Sequence, residues 1–508
     1  MAKREVFIST EAQETRVAVR EDRRLEEYYV ERKTDQRVVG SIYKGKIASV
    51  VPGIGAAFVD IGVGKNGFLY VADIVEPKPE DDEAILEEGE AEERAKRRPP
   101  QHHHRRSRIE DVVKEGQEIL VQVVKEAFGT KGARLTTHVS LPGRYMVLMA
   151  NDPRMGISRR IEDGTERGRL RQILKELKFS DEAGLIIRTA GVGKEKKDLE
   201  RDVRYLSNLY QQIKRKAAKA KAPSCVYQEL PLAERIIRDS FSEDVQRIMV
   251  DTKDEFHNLR RFLPQLMPGV KVRLDVYHGE EPLFEKEGLN DQITAVFEKR
   301  VALPSGGSVV IEPTESLVAI DVNTAKFTGR RNLEETAFQV DKEAAVEIAR
   351  QLRLRDIGGI VVIDFIDLEV QGHRKELIRT LEDALSRDRA KTNLVSFSEI
   401  YIAEITRQRM RRSVETVSTQ PCPYCSGRGT VKSVVTMAIE AIRQVRRTLK
   451  QHKGKTVEVL VHPQVAVRLL QEDRPNLSRL EQQHRCRILV LSDPSLHFED
   501  VKVRPMGP

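Results

Sequence analysis

Two short runs in the chain end on carboxylates. In SLVAIDVNT (316–324) four apolar residues lead to Asp321, with Asn323 two places later; in GGIVVIDFIDL (358–368) four apolar residues lead to Asp364. Residues i and i+2 of a strand share a face, so Asp321 and Asn323 project together. Taken singly, each aspartate reads as a strand terminator that hydrogen-bonds the turn backbone. On neighbouring strands they become a pair, and two carboxylates in one crevice repel unless a cation neutralises them. Mg²⁺ suits that place, because it takes oxygen ligands, keeps several waters and is commonly held by one or two protein carboxylates. Such an ion activates water and offsets the charge of a phosphodiester under attack. Asp321, Asn323 and Asp364 are therefore the candidate catalytic residues. Asp321 and Asp364 are the Mg²⁺ ligands, and the Asn323 amide orients a carboxylate or a phosphate oxygen. Asp367 has the opposite strand parity and ranks behind them.

A second candidate metal site is CPYCSGRG (422–429), where Cys422 and Cys425 form a CxxC followed by two glycines. Pro423 and the glycine turn suit a zinc knuckle better than a redox motif opening a helix. Structural zinc takes four ligands, and the other cysteines, Cys225 and Cys486, have no paired spacing. A second copy of the chain would supply the missing pair, so the expectation is a homodimer clasped by one shared Zn²⁺. A plain reduced loop is the alternative.

Two further constellations suit a polyanion. RTAGVGK (188–194) joins an arginine fork and a hydroxyl, Arg188 and Thr189, to glycines that let backbone N–H groups approach an anion. It is not a Walker A loop, since Glu195 stands where Ser or Thr is required. Upstream, Phe58 and Phe68 offer faces for base stacking, with Lys125 and Lys131 around the GTKG loop to meet phosphates. Core packing and solvation are the ordinary roles of such residues.

These residues need elements to hold them. Residues 38–74 run as short β-rich segments broken by glycine turns, the rhythm of a small OB-type barrel. An acidic block and a basic, His-containing block interrupt it over 76–108, without hydrophobic periodicity. The barrel resumes through residue 138. Mixed α/β segments follow, including a long polar helix at 198–221. From 301 to 417 strands alternate with long helices near 333–354 and 374–388. That βαβ order predicts an α/β layer with its acidic strand ends gathered at one edge. A last small α/β unit spans 431–508. The fold class is thus multidomain, α/β and β.

The 508 residues carry 87 basic and 79 acidic side chains, a net of +8, which when clustered suits RNA or DNA. No segment has the roughly 18 to 20 apolar residues a spanning helix needs. The N-terminus lacks the apolar core of a signal peptide. Four cysteines make no disulfide framework, so a reduced, cytoplasmic protein is expected.

Taken together and in order, IYKGKI, AAFVDIG, GISRRIE, GLIIRTAGVG, AIDVNT, VVIDFIDL and CPYCSGRG resemble the ribonuclease E/G family over nearly the whole chain. The resemblance implies an RNase H-like domain in two parts, 1–37 and 233–296, with an S1-type OB-fold (38–138) and a 5′-sensor (139–232) inserted. A DNase I-like catalytic domain (297–417), a zinc link (418–431) and a small domain (432–508) follow. It implies a Mg²⁺-dependent endonuclease of single-stranded RNA, acting on rRNA precursors and mRNA and leaving 5′-phosphate and 3′-hydroxyl ends. It also implies stimulation by a 5′-monophosphate held by Arg188 and Thr189, with Val147 and Arg159 nearby. Phe58, Phe68, Lys125 and Lys131 would grip RNA, and Cys422 and Cys425 would bind Zn²⁺ between two chains. The chain stops soon after the small domain, the expectation for the branch without a long C-terminal scaffold. The rival readings are a non-catalytic RNA-binding protein and a CxxC redox protein.

Overall fold

The computed structural model describes residues 3–32, 38–75, 108–127, 132–177, 183–240, 245–267, 272–324, 333–409, 414, 418–452 and 456–506. The charged segment expected as an insertion lies, but for Arg108, outside the described residues, as does Lys131. The chain divides into two compact units, Met1–Glu415 and Thr416–Pro508.

Among the described residues the first unit holds four sheets. Strands Arg4–Thr10, Glu14–Glu21 and Arg24–Arg32 form an antiparallel meander, and Val245–Val250 and Arg273–Val276 extend it in parallel beside Arg4–Thr10. Segments more than 200 residues apart therefore share one core, which includes Val6, Ile8, Ile248 and Leu259.

Between them lies a barrel. Ile42–Val51, Ala56–Asp60, Gly67–Tyr70, Arg134–Thr136 and Glu118–Lys125 pair in that order, and Ile42–Val51 closes on Glu118–Lys125. Closure removes the exposed edges of a short sheet. Glycines make the tight places: Gly55 turns the first hairpin at φ 62°, and a Cβ on Gly45 would stand 2.6 Å from Val59. A four-stranded sheet, Gly156–Ile157, Ala183–Ile187, Met146–Ala150 and Ser140–Pro142, comes next. The helix Lys196–Lys219 packs on it through Leu199, Val203 and Leu206.

The fourth sheet runs Arg300–Ala302, Ser308–Pro313, Leu317–Asn323, Gly359–Asp364, Ile402–Arg407, Thr392–Phe397. Leu317–Asn323 and Gly359–Asp364 are parallel and joined through the helix Leu333–Arg355, the expected βαβ unit. One expectation needs correcting. The apolar runs read as buried strands that end on their aspartates, yet burial alternates along Leu317–Asn323. Val318, Ile320 and Val322 are buried under the helices Leu333–Arg355 and Gln371–Ser386, while Ala319 and Asp321 are exposed. The cause is the sheet's composition. Among the described residues only one of its strand pairs is parallel, so the crossover helices cover one face and leave the other open. The acids sit on that open face, and Leu317–Asn323 runs two residues past Asp321 rather than ending there.

The second unit carries the helix Val434–Gln451, capped by the Ser433 hydroxyl at the Thr436 N–H. It packs on the three-stranded sheet Ile488–Ser492, Val457–Val461, Val501–Pro505.

Candidate active site

Asp321 and Asp364 are direct partners in the parallel register of their strands. Both runs reach the carboxylate four residues beyond the start of pairing at Leu317 and Ile360, and the matched spacing aligns them. Both side chains are exposed. The Asn323 Nδ2 donates to Asp321 Oδ2 at 2.6 Å, which fixes the Asp321 carboxylate without adding charge. Among the described residues no lysine or arginine pairs with either acid, and no third His, Cys, Asp or Glu completes a cluster of three. Two hard oxygen donors side by side without a counter-ion fit Mg²⁺, which needs only one or two carboxylates.

The loop leaving Asp364 is held from below by side chains that the sequence pattern did not flag. Asp341, fully buried in the helix Leu333–Arg355, accepts the Ile366 N–H through Oδ1 at 3.1 Å, and its Oδ2 has no hydrogen-bond partner. Burial first, then the neighbouring Asp367 and Glu334 carboxylates, pushes its pKa up to about 8, so the carboxyl is neutral at neutral pH. Glu334 accepts the N–H groups of Glu369 and Val370 and meets His373 Nδ1 at 2.9 Å. The His373 ring stacks on Phe338 with centroids 4.1 Å apart. The Tyr401 hydroxyl donates to the Leu368 carbonyl. A helical acid reads from sequence as solvated surface. Asp341 could have been suspected only from its apolar helical neighbours, Val340, Ala344 and Ala345.

On the barrel, Phe58 and Phe68 are cross-strand partners whose rings meet edge to face at 5.3 Å. Both are half-buried, so they serve the barrel and still present edges to solvent. Lys125 is exposed at the end of its strand, opposite Arg134. Sequence reading missed Tyr70, which shares the strand parity of Phe68 and meets its ring at 4.4 Å.

Arg188 follows the strand Ala183–Ile187, and Arg159 follows Gly156–Ile157. These strands are parallel neighbours, so both arginines leave the same sheet edge. The Arg188 Nη1 donates to the Gly143 carbonyl at 2.7 Å and to Asp239 Oδ1 at 3.0 Å, with Thr189 exposed beside it. Burial raises the Asp239 pKa, but Arg238 and Arg188 outweigh it and hold the carboxylate ionised. Two features differ from expectation. Val147 is buried against Met149 and Ile186 in a central strand, so its side chain meets no dissolved ligand. The glycine N–H groups are also taken: Gly191 N–H donates to the Arg188 carbonyl, and Gly193 N–H to Glu166 at 2.8 Å. Arg169 and that N–H lower the Glu166 pKa to about 2.

In the second unit Cys422 is exposed and Cys425 buried. The Gly429 N–H donates to Cys425 Sγ at 3.2 Å. Backbone N–H groups of Cys425 and Tyr424, with the Cys425 thiol, lower the Cys422 pKa. The Cys422 sulfur is thus biased toward the thiolate, the form that binds zinc. Cys225 lies in the other unit, where its thiol donates to the Tyr227 carbonyl, and Cys486 packs against the small-domain core.

Comparison with known proteins adds to this geometry. A family model described as the ribonuclease E/G family matches residues 140–410, and one described as the RNase E/G thioredoxin-like domain matches 421–506. A ribonuclease G of Haemophilus influenzae is 39% identical over 474 residues, 93% of this chain and 93% of that protein. Ribonuclease G of Escherichia coli K12 is 38% identical over 94% of both chains. Ribonuclease E of the same strain is 37% identical over 99% of this chain but only 46% of its own length.

Proposed function

The chain belongs to the ribonuclease E/G family, and from that premise we propose that it is a Mg²⁺-dependent endoribonuclease of single-stranded RNA. The observation that carries this reading is the in-register pair Asp321 and Asp364 on the open face of the fourth sheet, with Asn323 bonded to Asp321. Asp321 and Asp364 would hold the ion, and Asn323 keeps the Asp321 carboxylate turned the right way. When bound, Mg²⁺ supplies an activated water and neutralises charge at the phosphodiester. Water adds to phosphorus and the bond to the 3′-oxygen breaks, giving a 5′-phosphate and a 3′-hydroxyl. The open face leaves room for an RNA strand: Ile360, on the same strand face as Asp364, is 51% exposed and offers an apolar contact for bases.

The same reading assigns the remaining parts. The barrel is the S1-type grip, using Phe58, Phe68 and Lys125. Residues 139–232 are the 5′-sensor, where Arg188 and Thr189, with Arg159 from the same sheet edge, take a terminal monophosphate and raise cleavage. The two-part sheet of residues 4–32 and 245–276 is the RNase H-like domain, and 297–417 is the DNase I-like one. Cys422 and Cys425 form half of a Zn²⁺ site completed by a second copy in a homodimer. The RNAs are those of rRNA processing and mRNA decay. The test is cleavage and binding of one A/U-rich oligonucleotide by Asp321→Asn and Asp364→Asn. Loss of cleavage with binding kept supports the site; cleavage at the wild-type rate refutes it.

A further inference from the structure

The barrel carries a cavity of about 630 Å³ that lies beyond the Phe58–Phe68 pair. Pro52, Ile54 and Gly55 line one side, Tyr70, Val71 and Arg134 another, and Arg108 and Glu110 the rest. Its size falls in the range that takes small planar ligands. Tyr70 forms the aromatic wall of this cavity. It is 40% exposed, and it continues the edge-to-face series from Phe58 through Phe68. The Arg134 guanidinium stands 5.4 Å from the Tyr70 ring centroid and is fixed there by two 3.0 Å bonds to the buried Asp73 carboxylate. Ile54, 54% exposed, supplies an apolar wall. The Arg134 side of the cavity is therefore held in place by the buried Asp73 carboxylate.

Charge decides what enters. Asp73 neutralises Arg134, and Glu110 offsets Arg108 on the lining, so the cavity has no excess positive charge to attract a phosphate. Its walls are an aromatic ring, a guanidinium plane and an aliphatic side chain. These are the surfaces on which unstacked bases rest in single-strand recognition. We propose that this cavity is a nucleobase subsite, taking one unpaired base of the RNA strand immediately beyond the Phe58–Phe68 contact. The proposal rests on the reading of the barrel as an RNA grip. Arg108 and Glu110 offer a donor and an acceptor to the base edge.

The experiment is equilibrium binding of a fluorescent single-stranded RNA to the full chain, without added divalent cation. A set of RNAs carries a single abasic position moved along the strand. Tyr70→Ala should weaken the intact RNA by about 5- to 10-fold, within the range measured for one base stack, and Tyr70→Phe should bind like the wild type. One abasic RNA should lose affinity for the wild type by the same factor and show no further loss with Tyr70→Ala. The slope of log affinity against log salt should not change, because no phosphate contact is removed. Three results overturn the subsite: no effect of Tyr70→Ala, an effect that persists with every abasic RNA, or a slope smaller by about one. A damaged barrel or a side chain of a protein partner as the true occupant would give one of these. Phe68→Ala separates the two levels. If it weakens binding while Tyr70→Ala does not, the subsite fails and the RNA grip stands; if neither does, the grip itself fails.

Discussion

Relative to the wild type, Asp341→Asn should stabilise the first unit by an amount that grows as pH rises. The carboxyl is fully buried, one oxygen has no partner, and its pKa is pushed up to about 8. An unfolded aspartate titrates near 3.9, so between about pH 4 and pH 8 the folded chain holds a proton that the unfolded chain has released. Stability from this group is full below pH 4 and falls as pH rises, by about 1.4 kcal/mol per unit, until the folded pKa is passed. From pH 5 to pH 7 the loss is about 2.7 kcal/mol, a figure that holds as long as the folded pKa exceeds 7. Asn keeps the acceptor for the Ile366 N–H and has no proton to lose. Whatever fixed offset the substitution carries, the stability difference between Asp341→Asn and wild type should therefore grow by about 2.7 kcal/mol over that interval. Amide hydrogen exchange of the strand Gly359–Asp364 reads this directly. Comparing the two proteins at one pH cancels the intrinsic exchange rate, and the protection ratio should change by about 100-fold. A ratio constant from pH 5 to pH 7 would mean that the buried carboxyl is ionised in the folded chain and that burial does not raise its pKa.

Further outcomes follow from the same geometry. Arg188→Ala should reduce the advantage of a 5′-monophosphate over a 5′-hydroxyl RNA to nearly none, a change of about 10-fold or more if one charge-assisted bond is lost. Cleavage of the 5′-hydroxyl RNA should stay within about 2-fold, and an undiminished preference would remove Arg188 from the sensor. Zinc should be present at about one ion per two chains and be lost in Cys422→Ser, with the sedimenting species falling from dimer to monomer. A metal-free dimer would exclude the shared site.

The pair Asp321 and Asp364 was legible because strand parity and equal run lengths are one-dimensional signals that pairing preserves. The open face beside them was not, since an apolar run before an acid looks the same whether helices cover one side of the sheet or both. Phe58 and Phe68 stood out as rare aromatics, while Tyr70, at the same parity as Phe68, was passed over for want of a motif. Asp341 was hidden because burial of a helical acid depends on which loop lands on it, a long-range contact with no local signature. The RTAGVGK glycines misled in a related way: their N–H groups suit an anion, but Glu166 from another helix takes one of them. The two-part first sheet, joining residues 4–32 to 245–276, was expected only through the family resemblance, because neither half carries a local signal for the other.

The proposed cleavage requires Asp321 and Asp364 together to hold a divalent ion. Electron paramagnetic resonance of Mn²⁺, as a stand-in for Mg²⁺, counts bound ions without any need for turnover. Wild-type protein should bind one Mn²⁺ per chain that Mg²⁺ competes away, and Asp321→Asn and Asp364→Asn should each weaken that site severely while the fold persists. Equal Mn²⁺ binding by all three proteins would contradict the assignment.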